Sequence, residues 1–376
     1  METSNLTLRQ GVTILKNRIV LIVAAGCMLF CFSALASADQ TVRYRNAKTI
    51  AVGGAKVAGG FDYNGFVYNP ALLSRVHILR FSVNLPISLD EDILEVSKFI
   101  SDNQDKFENY DELTSDDKTA FLEDMKDIDS KWGRLAVSPM VSIATNIKGY
   151  GLGLAVYTNN LVNMKVDRGI YEPRVWGSGG IDYAVILGFA KPLFFLYPGL
   201  TVGANVKYLK RQHVDLFQIP ASDLGSLSDT MNPIFDEAKE TERNTYAVDV
   251  GALLEIPVIN ADVGATMKSM GDGRGASLDI GIAKRLYSDR ITILADYLDF
   301  YDNNKENVFK KIHMGAQFKY LFLALRGGFN QGYPAYGIGL DFRIFDIDAA
   351  YYTEELSKGP GVDEDNRYIA QIKFGW

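Results

Sequence analysis

The residues able to do chemistry are few and poorly placed for it. The three histidines, His77, His213 and His313, are not spaced as metal ligands, and no Ser-His or Asp-His pair is evident. Gly149-x-Gly151-x-Gly153 lies in a strand pattern with no helix after it, so it is not a nucleotide-cradling loop. Ser115-x-x-Lys118 has the spacing of a penicillin-binding-type nucleophile, but it starts a helical pattern and lacks the partner motifs. The acids Asp127 and Asp129 lack a loop of calcium-binding spacing. Both cysteines, Cys27 and Cys31, fall in an N-terminal apolar run, so the processed chain has no thiol for a nucleophile, a disulfide or a metal site. A formal charge of −7 with no basic patch argues against nucleic acid. The reading is of a non-enzyme with no cofactor and no metal.

The elements say more. Tyr368, Ala370, Ile372, Phe374 and Trp376 share one face of the last strand, and Gln371, Lys373 and Gly375 share the other. A period of two with every apolar residue on one side is a strand with one greasy and one wet face. Tyr368, Ile372, Phe374 and the terminal Trp376 form the aromatic-ended strand that outer-membrane barrels present to the barrel-assembly machinery. At the other end, Lys16 and Arg18 precede an apolar run from Ile19 to Leu35, followed by Ala36-Ser37-Ala38. This is the layout of a signal peptide over 1–38, cleaved near Ala38; the run is short for a membrane anchor of roughly 20 residues. A lipoprotein site would need Leu three residues before Cys27, where Ala24 stands.

The alternation recurs throughout, with about fourteen strands at 75–86, 133–147, 149–164, 180–191, 199–211, 244–256, 258–269, 275–286, 290–301, 308–320, 322–329, 335–344, 346–354 and 367–376. Long and short connections alternate between them, the asymmetry of an outer-membrane barrel embedded in lipid. The expected fold is all-β: a transmembrane antiparallel β-barrel over 75–376. Gly, Asp, Lys and Arg on the wet faces fit a polar lumen.

The first long connection, 88–131, carries about fifteen acids against about five lysines. Ile93, Val96, Phe99 and Ile100, then Phe121, Leu122, Met125 and Ile128, stand at helical spacing, with Thr114 or Ser115 as a cap. The expectation is an acidic helical extracellular insert that solvates the rim or, alternatively, forms a ligand-entry surface. Phe99, Phe107, Tyr110 and Phe121 are the candidate capture residues. A second insert, Val214 to Glu242, contains Pro220 and Pro233 and is read as possessing a short helix.

Ahead of the first strand stand Gly53-Gly54-Ala55-Lys56-Val57-Ala58, then Asp62, then Asn69-Pro70-Ala71-Leu72. This N-terminal pattern resembles that of the long-chain fatty-acid transporter (FadL/TodX) superfamily, with its PorV-like and TraF-like exported relatives. The motif covers about thirty residues. The resemblance implies that 39–74 folds back into the barrel as a hatch, with Gly53, Gly54, Asp62, Asn69, Pro70 and Ala71 in closing or gating roles. Glycines there permit tight approach, Pro70 fixes the chain before it enters the wall, and the Asn69 amide can satisfy backbone groups. The implied function is passive uptake of hydrophobic small molecules across the bacterial outer membrane. The alternative is a scaffold or secretion accessory of the PorV kind, with a protein partner. The acidic insert disfavours a fatty-acid carboxylate at the mouth, because like charges repel.

Overall fold

The computed structural model describes residues 44–129, 131–169, 172–193, 198–220, 223, 241–270, 276–302, 307–342, 344–357 and 361–375. The N-terminal segment read as a signal peptide with both cysteines, most of the second insert and Trp376 lie outside them. Fifteen strand segments form one antiparallel sheet that closes on itself through β1 (Ile78–Asp90) and β15 (Glu364–Gly375), paired from Ser82↔Gly375 to Asp90↔Arg367. Segments β2 (Gly133–Val137) and β3 (Met140–Ile147) both lie between β1 and β4 (Tyr150–Asp167), so the wall has fourteen positions. Closure leaves no unpaired edge, the condition for strands to cross a bilayer. Among the described residues no helix is long and apolar enough to do so.

The alternation works as the sequence predicts. On β15, Tyr368, Ile372 and Phe374 are exposed outward while Gln371 and Lys373 are buried inward. Outward Phe322, Phe342, Phe345 and Phe374 form a chain of ring contacts beside the short turns, with centroids 5.7, 4.6 and 6.5 Å apart. Aromatic rims of this kind sit at membrane interfaces. The other end carries the long connections: 91–132, 168–173, 221–242, 271–276, 298–311 and 356–363.

Two strand boundaries differ from expectation. The stretch predicted as one strand, 133–147, is interrupted at Ser138-Pro139, opposite Leu85-Pro86 of β1. Neither proline has an N–H to give to the ladder, which explains the break. Ser138 N instead donates to the Pro86 carbonyl (3.0 Å), and Asn160 Nδ2 to the Val137 carbonyl (2.9 Å). Second, β4, β5 (Arg174–Pro192) and β6 (Leu200–Pro220) extend well into 165–179 and 212–220, which the sequence reads as loop. The extensions of β4 and β5 are covered on one face by the insert at Met164, Val166 and Val175, so lipid does not impose its apolar–polar alternation there.

The insert holds α2 (Glu91–Asp102), α3 (Gln104–Glu108) and α4 (Ser115–Asp124), after the short α1 (Ala47–Ala51) of the N-terminal segment. Asp90 caps α2 through Ile93 N (2.7 Å), and Thr114 caps α4 through Asp117 N (3.2 Å). Val96, Phe107, Tyr110, Phe121, Met125 and Ile128 bury their side chains against Val166 of β4, with Met164 and Val175 at the margin.

Candidate functional site

The lumen is occupied by the chain's own N-terminal segment, 44–75, which runs round the inside of the wall. Helix α1 starts on Asn46, whose side chain accepts from Lys48 N (2.9 Å), and packs on Ala335, Ala350, Tyr352 and Ile369. Gly53 and Gly54 follow with φ of 72° and 86°, where a side chain is strained. A Cβ on Gly53 would also collide with the carbonyls of Phe329 and Met314, and His313 Nδ1 donates to the Gly53 carbonyl (2.7 Å). Val57 N donates to Asp296 on β10 (Ile291–Tyr297) at 2.8 Å. Further on, Asn205 Nδ2 holds the Phe66 carbonyl (2.8 Å), and Asn64 Nδ2 meets Ser82 Oγ (3.1 Å) on β1.

The wall makes room where this segment touches it. Side chains at Gly203 and Gly251 would strike Asn69 and Pro70, at Gly264 and Gly281 Val57, at Gly328 Gly53, and at Gly337 Ala51. Those glycines lie on six strands, from β6 round to β13 (Tyr333–Asp341). Asn69 is fully buried: Nδ2 donates to the carbonyls of Val57 (2.8 Å) and Ala252 (3.2 Å), and Oδ1 accepts from Ala71 N (3.1 Å). One amide thereby ties the segment to itself and to β7 (Arg243–Ile256). Pro70 begins the 3-10 turn that Asn69 caps.

Charge fastens the rest. Lys48, with its side chain 4% exposed, reaches Asp341 and Asp346 at 2.8 Å each and Asp348 at 3.8 Å. Lys319, Arg326 and Lys373 complete the same cluster, contacting Asp341 (2.7 Å), Asp348 (2.7 Å) and Asp346 (2.8 Å). Lys373 also lies 3.6 Å from Asp62, whose other oxygen caps Asn64 N (2.9 Å). Arg45 pairs with Glu354 (3.2 Å), and Arg75 with Glu255 (3.1 Å) and Asp262. At the short-turn end a cavity of about 400 Å³ remains, lined by Phe61, Asp62, Tyr63, Arg80, Phe345 and Lys373 among others.

Of the residues singled out in the sequence, Gly53, Gly54, Asp62, Asn69, Pro70 and Ala71 all lie on the hatch-to-wall seam. Phe99, Phe107, Tyr110 and Phe121 come together at the other end of the barrel: Phe107 and Phe121 stand 5.0 Å apart edge to face, Phe99 and Phe121 5.9 Å apart stacked. They fill one another's space as the insert's core, with only Phe99 at its margin. Of the three histidines, His313 is buried on the lumen side, His77 precedes β1, and His213 lies within β6. Sequence reasoning missed Lys48, and it read the wall glycines as lining a polar lumen without seeing that they seat the N-terminal segment. The glycines' signal was their recurrence on the wet face of successive strands.

A closed barrel with its own N-terminal segment packed through the lumen is the architecture of a plugged transmembrane β-barrel. Solved structures agree in fold. The toluene transporter TbuX of Ralstonia pickettii matches with a TM-score of 0.53 at 13% identity, over 88% of this chain and 97% of that one. The toluene transporter TodX of Pseudomonas putida matches at 0.52 and 12% identity, over 89% and 98%. A deltaS2 mutant of the TodX monoaromatic hydrocarbon channel gives 0.54 and 14%, over 89% and 99%. At such identities the likeness is one of fold, and the fold is the FadL/TodX-like barrel that the N-terminal motif resembles. No protein-family model matches the chain, and no curated protein matches it in sequence.

Proposed function

We propose that this barrel is an outer-membrane transport protein for neutral hydrophobic small molecules, which cross it down their own gradient. The observation that carries the reading is the N-terminal segment seated in the lumen of a barrel sharing the fold of the toluene transporters. In this reading a ligand is captured at the insert, entering beside Phe99, the marginal member of the aromatic core. Release is sideways through the wall at the Ser138-Pro139 break, under control of the hatch seam at Gly53, Gly54, Asp62, Asn69, Pro70 and Ala71. A sideways exit suits an apolar cargo better than passage through the lumen, where Lys48, Asp341, Asp346, Asp348 and Arg326 would have to be crossed.

The test is uptake of radiolabelled toluene by cells whose own hydrophobic channels are deleted, with and without this protein. Expression should raise uptake, and Phe99→Asp should abolish the gain while leaving the barrel's heat-shifted electrophoretic migration intact. Uptake no faster than in the empty-vector strain refutes the proposal. A second reading, a scaffold with a protein partner, is favoured by one observation: the hatch is tied to the wall around most of its circumference and by ion pairs, the one at Lys48 buried, an arrangement suited to a static plug.

A further inference from the structure

The extended ends of β4, β5 and β6 carry two faces with different fates. One, bearing Met164, Val166 and Val175, is covered by the helical insert. The other presents cross-strand rows: Arg134, Asn163 and Ser178; then Lys165, Trp176 and Gln218; then Asp167, Arg174 and Pro220. Directly paired residues share a face, so these side chains form one platform. Along β4 it lies in the same alternation as Tyr157, which packs on Tyr44 of the hatch segment, so the platform continues the lumen wall towards the mouth.

Its composition is unlike either a lipid face or a plain solvent face. Lys165 Nζ lies 5.4 Å from the Trp132 ring and 5.3 Å from the Trp176 ring. Arg174 donates to Gln218 Oε1 (3.0 Å), and Asn163 Nδ2 to Ser178 Oγ (3.3 Å). Three buried atoms on this platform have no hydrogen-bond partner among the described residues: Asn163 Oδ1, Arg174 Nε and Trp176 Nε1. Asn163 itself is only 8% exposed. Buried polar groups are nearly always paired, so an acceptor and two donors without a protein partner on neighbouring strands fit a ligand that carries both functions and reaches them once Lys165 moves aside. A hydrocarbon offers neither. A hydroxyl-rich ring offers both, and its C–H face suits an indole, which is apolar across its face and polar at one edge.

We propose that this platform is a saccharide-binding site at the mouth of the barrel, separate from the route of the hydrophobic cargo. The sugar stacks on Trp176, and its hydroxyls meet Asn163, Arg174 and Gln218, with Lys165 swinging off the indoles as it enters. The sugar is either a free oligosaccharide or the headgroup of an outer-leaflet glycolipid.

The test is isothermal titration of the full-length protein in detergent with two probes: maltohexaose, and the core oligosaccharide freed from lipopolysaccharide by mild acid. Saturable binding of maltohexaose alone identifies a free saccharide as the ligand; binding of the core oligosaccharide alone identifies the glycolipid headgroup. Trp176→Leu and Arg174→Met should each weaken binding at least tenfold. Asn163→Leu, close in volume, gives the same reading if Trp176→Leu fails to fold. No binding of either probe, or binding that all three variants leave unchanged, overturns the proposal.

Discussion

Replacing Lys48 with Met tests how the hatch is held. The change keeps most of the side-chain volume and removes a charge that sits 2.8 Å from both Asp341 and Asp346. Breaking a buried ion pair by deleting one partner costs about 3–5 kcal/mol, because the other charge is stranded. Here each stranded carboxylate keeps one cation, Lys319 on Asp341, Lys373 on Asp346 and Arg326 on Asp348, so the cost falls to about 2–3 kcal/mol. At about 1.4 kcal/mol per factor of ten, the population with α1 undocked rises roughly 30- to 140-fold. Amide hydrogen exchange reads this directly: Ile50 and Gly53 donate to the carbonyls of Asn46 and Ile50, both at 2.9 Å, and exchange only when that turn opens. Lys319→Met is the control, since its side chain is 41% exposed and Asp341 retains Lys48; its effect should stay under about tenfold. Exchange in Lys48→Met within threefold of the parent, or equal effects of the two substitutions, would refute the latch.

Gly53→Ala should destabilise the hatch by at least about 1–2 kcal/mol from left-handed backbone strain alone, seen as faster exchange at 47–54, because the new methyl also meets the Phe329 and Met314 carbonyls. Phe121→Ala should remove about 3–5 kcal/mol of packing from the insert, making 91–132 protease-sensitive while the barrel keeps its heat-shifted migration. Burial pushes the Tyr44 and Tyr68 phenols well above their ordinary value of 10.0. The folded state therefore holds protons that the unfolded chain loses, so this stabilisation is complete below pH 10 and declines as pH rises further. Denaturation midpoints measured across alkaline pH should fall, and fall less steeply in a Tyr44→Phe, Tyr68→Phe double variant.

Much of the wall is legible in the sequence because lipid on one side and water or polar side chains on the other enforce a period of two, as at Tyr368 to Phe374. Legibility fails where that contrast fails. The ends of β4 and β5 carry Val166 and Val175 under the insert, so their outer face is no longer read by lipid. The break at Ser138-Pro139 had a visible cause, Pro139 standing one step along the ladder from Pro86 of β1, but their proximity depends on a register that one strand alone does not specify. Asn69 and Gly53 could be picked out of the N-terminal motif because a capping amide and a positive φ are local demands. Lys48 was invisible: its partners Asp341, Asp346 and Asp348 lie almost three hundred residues away, and only closure of the barrel brings them to it. Helical spacing marked Phe99 and Phe121 as members of apolar stripes, yet spacing does not distinguish a core filled by its own side chains from an open pocket.

The most direct test of the transport reading is native mass spectrometry of the protein purified from its own outer membrane in mild detergent, recording small molecules and co-purifying chains together. The account predicts a stoichiometric apolar ligand, lost on mild heating, and no protein partner. A reproducible protein partner on a barrel that carries no ligand would contradict it and establish the scaffold instead.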